Sequence, residues 1–328
     1  MKRYGSRKIA GARIDAGDFM AKKGTITTCG KGGRVFFWVM MALPILQFVI
    51  FYIGVNFNNV LLAFKSYDKN TGVWDFPNFA TFEAIWKAKD ELWGYTKNSI
   101  QFFLANVVIV MPLTLLFSYY IFRKFFMSGF FKVLLFLPSV ICSMVLLIFY
   151  EYFVDNVLIT FLSDVRGEKV LPILSGFIKA GQENRLWYAL MFFSIVVGFS
   201  GNLLLYLNAM SQIPSSVLEA AKIDGAGEMQ SFVCVVIPGV WGTIVSLLCV
   251  SMAGMLSNQA YLFSLFGNDA RQFIQTMGYY MYVTINPETP DYLQYPYVAA
   301  IGVLLTCIIA PLTIGVRKLL VTFGPSED

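Results

Sequence analysis

The chain has 328 residues, of which 57% are hydrophobic, 16% aromatic and only 14% charged, with a formal charge of +5, against about 25% charged residues in an average soluble domain. That balance excludes a water-soluble enzyme, and the absence of histidine removes any His-based metal site, His general base or Ser-His triad. Five cysteines, Cys29, Cys142, Cys234, Cys249 and Cys307, are scattered, odd in number and without a CxxC pair, so they read as small apolar core residues and not as disulfide or metal ligands.

Residues 1–34 form a basic tail, nine Lys and Arg against Asp15 and Asp18, too polar to cross a bilayer. Val35 to about Phe57 is a full-length apolar run, unlike the short stretch and small-residue cleavage site of a secretory signal, and is predicted to stay as the first transmembrane helix. Residues 65–97 mix Trp74, Trp86 and Trp93 with charges, which predicts an interfacial segment and not a folded domain. Further spans are predicted near 98–122, 131–153, 186–208, 232–257 and 293–316, giving one membrane domain over 35–318 and a short tail at 319–328. Pro44, Pro112, Pro138, Pro238 and Pro311 fall inside these spans; neighbouring helices can re-satisfy the backbone groups they free. The expected fold class is all-α: a polytopic integral membrane protein of six transmembrane helices. Fifteen basic residues fall on the N-terminal side and ten on the other, so the positive-inside rule puts both termini in the cytoplasm.

The segment between spans 4 and 5, residues 209–231, departs from that rule. It carries Glu219, Asp224 and Glu228 against Lys222 alone, where a short cytoplasmic loop should be positive. Its sequence predicts a short helix, a turn and a second helix. Pro214 has its φ preset for a first helical turn, Ser216 and Glu219 have the spacing of a capping box, and Gly225 stands where a chain leaving a helix needs a positive φ. Small residues and misplaced charge favour a docking surface for a cytoplasmic protein; the competing reading is a solvated helical hairpin capped by its own Ser and Glu.

The run Glu219-Ala220-Ala221, three residues, Gly225, then Val235 and Ile237-Pro238 resembles the EAA loop of binding-protein-dependent ABC importer permeases, with Val235 and Ile237 replacing the usual Ile and Leu. The string from Ile213-Pro214 to Ala226 is similar to the carbohydrate, maltose-type branch. Phe131 to Ser139 looks like that family's entry to its third helix, and Gly201 to Leu207 like its helix before the loop. The resemblance implies a type I ABC importer permease core in a bacterial inner membrane, with Glu219, Ala220, Ala221, Asp224, Gly225 and Ala226 forming a coupling helix seated in an ATPase groove. It further implies a second related permease, two ATPase subunits holding ATP and Mg²⁺, an extracellular solute-binding protein, a carbohydrate substrate and surrounding lipid. No cofactor in this chain and no nucleic-acid partner are expected. The sequence has no GxxxxGK[ST] phosphate loop, and Gly30 to Arg34 lacks its spacing, so the chain itself is expected to catalyse nothing.

Polar side chains at mid-membrane depth are costly unless they face a cavity or a partner helix, and sugars need such groups together with aromatic faces. Span 4 offers Ser194, Ser200, Asn202 and Tyr206, and span 5 offers Ser246, Ser251, Asn258 and Gln259; Ser251, Met255 and Asn258 are predicted to share one helix face at i, i+4 and i+7. Alignment to maltose-type permeases adds Gly198 and Gly201 and again points to Ser251 and Asn258. Gly254 and Met255 stand where that branch has an aromatic residue and an asparagine, which implies a different substrate. A helix-helix hydrogen bond is the alternative role for each polar residue. An ion-coupled secondary transporter or channel is the rival function; it would want ionisable side chains at mid-span, and the predicted spans hold none, with Glu151 placed near an outer end.

Overall fold

The computed structural model describes residues 31–68, 73–166, 183–285 and 294–325. Most of the basic tail, with Cys29, and residues 326–328 lie outside them. The chain divides into two units, 1–59 and 60–328. Inside a bilayer every backbone polar group must be satisfied within the chain, and a helix does so locally. Among the described residues five helices have the length and apolarity to cross: Val35–Ala63, Lys89–Phe122, Ser143–Val165, Arg185–Met210 and Tyr295–Phe323. A sixth crossing is a bent pair, Glu228–Gly239 and Trp241–Gly254, at 67°.

Prolines shape spans 2 and 5. Pro112 and Pro238 each stand one residue beyond a widened π-helical turn, Asn106–Val110 and Phe232–Val236. A proline ring has no N–H and presses on the carbonyl four residues earlier, Val108 and Cys234 here, and one extra residue in the turn relieves that contact. In span 5 the chain then corners at Val240, and Trp241 Nε1 donates to the Leu320 carbonyl at 3.1 Å, tying the second half of the span to span 6.

Several predicted boundaries shift. Span 2 begins at Lys89, well before Asn98, because Leu92 and Tyr95 bury one face of a helix whose other face is charged. Span 6 runs past Val316 to Phe323 and absorbs the first half of the predicted C-terminal tail. The third crossing is interrupted: a helix over Ser128–Val140 ends at the extended residues Ile141 and Cys142 before Ser143–Tyr152 resumes. Two contacts set its depth. Leu135 packs with Ile121, Leu203 and Leu207 near the end of the bundle that carries the 209–231 loop, called the loop side below. At the opposite, far side, the Tyr150 hydroxyl donates to the Ala189 carbonyl at 2.7 Å, near the start of span 4. Glu151, next to Tyr150, is therefore level with the start of span 4 and lies within the Ser143–Val165 helix.

The region predicted as merely interfacial is folded. Strands Ser66–Asp68 and Val73–Asp75 pair antiparallel, Ser66 opposite Asp75, and a helix over Ala80–Lys87 follows. Ile85, Ala88, Leu92 and Tyr95 pack against Leu256, Met277, Ile301 and Ile309. The segment after span 5 is held down by side chains of span 2: Asn98 Nδ2 donates to the Phe273 and Gln275 carbonyls at 2.9 and 2.8 Å, and Ser99 Oγ accepts from Met277 N at 3.0 Å. Gly278 fits against the backbone of Ser257, only 2.5 Å from where a Cβ would stand.

The four described cysteines are not core residues. Cys142, Cys234 and Cys307 are exposed, Cys249 is half-buried and all four are free thiols. The reason is general to membrane proteins: lipid is as apolar as a protein interior, so hydrophobic character does not separate the outer face of a helix from its packed face.

Candidate functional site

The 209–231 loop is built as a helix that starts and stops sharply. The helix runs Ser215–Ile223 with Pro214, at φ −59° and ψ 135°, as its N-cap residue. The predicted capping box is absent, since no side-chain cap bond forms: the helix starts one residue before Ser216, which puts that hydroxyl inside the first turn and not at the cap position. The C-terminal end follows prediction in detail. Gly225 has φ +81°, its N–H donates to the Lys222 carbonyl at 3.1 Å and Ala226 N donates to the Ala221 carbonyl at 2.9 Å, the paired bonds of a Schellman motif.

One side chain seats this helix. Leu218 is 8% exposed and packs with Leu115, Tyr119, Tyr206, Met210, Phe232 and Val236, while Glu219, Ala220, Asp224 and Gly225 are exposed, Ala221 and Ala226 are half-buried, and Ile223 is 86% exposed. The result is a rigid knob with small and apolar atoms turned away from the bundle. Leu218→Ala is expected to cost about 2–4 kcal/mol, read as a lowered melting temperature of the detergent-solubilised subunit; an unchanged melting temperature would show that Leu218 does not seat the helix.

Behind the knob lies a group that sequence reasoning missed. Arg123, the residue that ends span 2, makes a two-pronged ion pair with Glu228, through Nε to Oε2 at 2.9 Å and through Nη2 to Oε1. The Tyr119 hydroxyl donates to the same Oε2 at 2.8 Å and to the Glu228 carbonyl at 3.1 Å. Hydrogen bonding to Glu228 raises the Arg123 pKa further above its already basic value, so the guanidinium stays charged at any physiological pH. The partners are 105 residues apart; the one available signal was that Glu228 adds negative charge where the topology asks for positive.

The predicted pathway residues separate. Ser194, Gly198 and Asn202 are half-buried and Gly201 is exposed, with nothing within 4 Å of a Cβ built on it. Gly198 packs on span 2, where its Cβ would lie 3.1 Å from Asn106 Nδ2. Tyr206 is 1% exposed inside the cluster that holds Leu218, so its side chain packs behind the loop. On span 5 the predicted common face does not exist, because the helix ends at Gly254. Ser251 is inside it and half-buried; Met255 packs beside Leu256 and Met277. Asn258 lies in the following turn, where Oδ1 accepts from Ala260 N at 2.9 Å and its carbonyl accepts from Thr276 Oγ1 at 2.8 Å. A cavity of about 410 Å³ between spans 5 and 6, lined by Ala253, Ser257, Gly302, Thr306 and Thr313 among others, contains none of these candidates.

Residues 112–320 match the family described as binding-protein-dependent transport system inner membrane component. The chain belongs to that family. This family member is accordingly a multi-pass protein of a bacterial inner membrane and a transport subunit. It is 24% identical, over 83% of its length and 90% of the relative's, to the multiple sugar-binding transport system permease protein MsmF of Streptococcus mutans. To the probable starch degradation products transport system permease protein AmyD of Thermoanaerobacterium thermosulfurigenes it is 25% identical, over 74% of its length and 78% of the relative's. Its fold is shared with a chain of a bacterial ABC transporter involved in the import of the acidic polysaccharide alginate, at a TM-score of 0.70 and 16% identity, covering 88% of this chain and 96% of that one.

Proposed function

We propose that the chain is the permease subunit of an ATP-driven ABC importer, with both termini cytoplasmic, that carries a neutral oligosaccharide delivered by an extracellular binding protein. The observation that carries the reading is the preformed helix Ser215–Ile223, closed at Gly225 and fixed by Leu218 with its small residues facing outward. It is a handle of the size and stiffness that a separate motor can grip, and Glu219, Ala220, Ala221, Asp224, Gly225 and Ala226 form its contact surface. ATP and Mg²⁺ belong to two companion ATPase subunits, and a related second permease offers the other handle. The relatives named for sugars and starch products support a carbohydrate cargo. Neutrality is supported by residues 186–210 and 229–254, which include no Lys, Arg, Asp or Glu: an ionised cargo would need compensating charge at that depth.

Ser194, Gly198, Gly201 and Asn202 on span 4, with Ser251 on span 5, are the candidates for lining the passage. Gly201→Leu fills open space there and is expected to lower import of longer saccharides by at least about tenfold, more than that of a disaccharide, a discrimination within reach of a few methylene groups. Uptake into vesicles holding the reconstituted complex measures it. Import sustained without nucleotide, or a companion preparation with no ATPase, would overturn the proposed function.

A further inference from the structure

We infer that Tyr119, Arg123 and Glu228 form a transmission joint that makes the coupling loop and span 2 move as one body. This rests on the importer reading and adds to it the route by which motion leaves the loop. Glu228 opens the short helix Glu228–Ser231 just beyond the Gly225 turn, so any displacement of the handle reaches it within three residues. Along the chain the next structure is the widened turn Phe232–Val236 and the corner at Val240, a compliant path that absorbs motion. The lateral path is stiff. Glu228 is clamped by both prongs of Arg123 and by the Tyr119 hydroxyl; the Arg123 side chain is 13% exposed against 47% for Glu228, and the Tyr119 ring packs on Phe232 at 4.8 Å between centroids. Such two-pronged, charge-assisted bonds fix direction as well as distance.

From Tyr119 the load passes into span 4. One residue earlier, Ser118 Oγ donates to the Leu203 carbonyl at 3.1 Å, and Gly198 sits against Asn106 and Val110 of span 2. Spans 2 and 4 are thus fastened at two levels, and the span bearing Ser194, Gly201 and Asn202 moves with the loop. Tyr119 and Arg123 act as positioning residues, since neither lies on the handle.

The test uses the complete reconstituted complex and reads solute-stimulated ATP hydrolysis against basal hydrolysis, with the amount of bound ATPase as the assembly control. Arg123→Met is expected to keep the bound ATPase and basal rate and to lose stimulation by at least about tenfold, the scale of a charged hydrogen bond removed. Arg123→Lys should recover part of the loss, because it restores charge without the fork. Tyr119→Phe, which keeps the ring packing, should lower stimulation about threefold. Wild-type stimulation in an assembled Arg123→Met complex overturns the inference. Should that variant not assemble, full stimulation in Tyr119→Phe overturns it instead. A wild-type complex with no solute-stimulated hydrolysis would overturn the importer reading itself, and the joint with it.

Discussion

Replacing Gly225 by valine leaves the subunit inserted and abolishes solute-stimulated ATP hydrolysis by the complex. The residue holds φ +81°, a conformation that costs an L-residue about 1–2 kcal/mol and is worst for a β-branched one. Avoiding that cost means giving up the bonds from Gly225 and Ala226 to the Lys222 and Ala221 carbonyls, so the end of the handle unwinds. The chain itself leaves open space at this position; added bulk therefore intrudes on whatever docks there. Asparagine tolerates the left-handed region, and Gly225→Asn should retain a substantial share of the stimulation. Full stimulation in a correctly assembled Gly225→Val complex would refute the coupling role.

A second large effect is expected on the far side. Gly278→Ala sets a methyl carbon 2.5 Å from the carbonyl carbon and oxygen of Ser257 and 2.8 Å from the carbonyl carbon of Asn258. These are backbone atoms, so no rotamer change relieves the overlap, and the cost should reach about 3 kcal/mol or more. Separation of the two segments would also break the Thr276 bond to Asn258 and strain the Met277 bond to Ser99. The measurement is thermal melting of the solubilised subunit, with Gly302→Ala, which meets nothing within 4 Å, as an expected neutral control. Equal melting of the two variants would mean that the close approach at Gly278 is not part of the folded protein.

What the sequence made legible was local. Runs of some twenty apolar residues announce helices because a bilayer leaves the backbone no alternative, and the Gly225 turn is encoded within a few neighbouring residues. The failures have three physical sources. Helix ends are set by packing: residues 89–97 read as part of a charged interfacial segment, yet Leu92 and Tyr95 bury one face of the helix there. Face assignment assumes that a helix continues, and the grouping of Ser251, Met255 and Asn258 was lost because span 5 stops at Gly254. Contacts between distant residues leave little trace in one sequence; the Arg123–Glu228 pair and the fit of Gly278 on Ser257 are of that kind. Tyr206 combines these problems, since a hydroxyl in an apolar run looks the same whether it faces a passage or supports a neighbouring loop.

The outward placement of Cys142, Cys234 and Cys307 has a practical side. Exchanging these three sulfur atoms for a methyl or hydroxyl group removes no buried contact from the subunit, so the triple replacement should fold with little penalty. Paired spin or fluorescent labels could then be introduced one site at a time, for instance on Ile223 and a residue of span 4, to follow their separation through a nucleotide cycle.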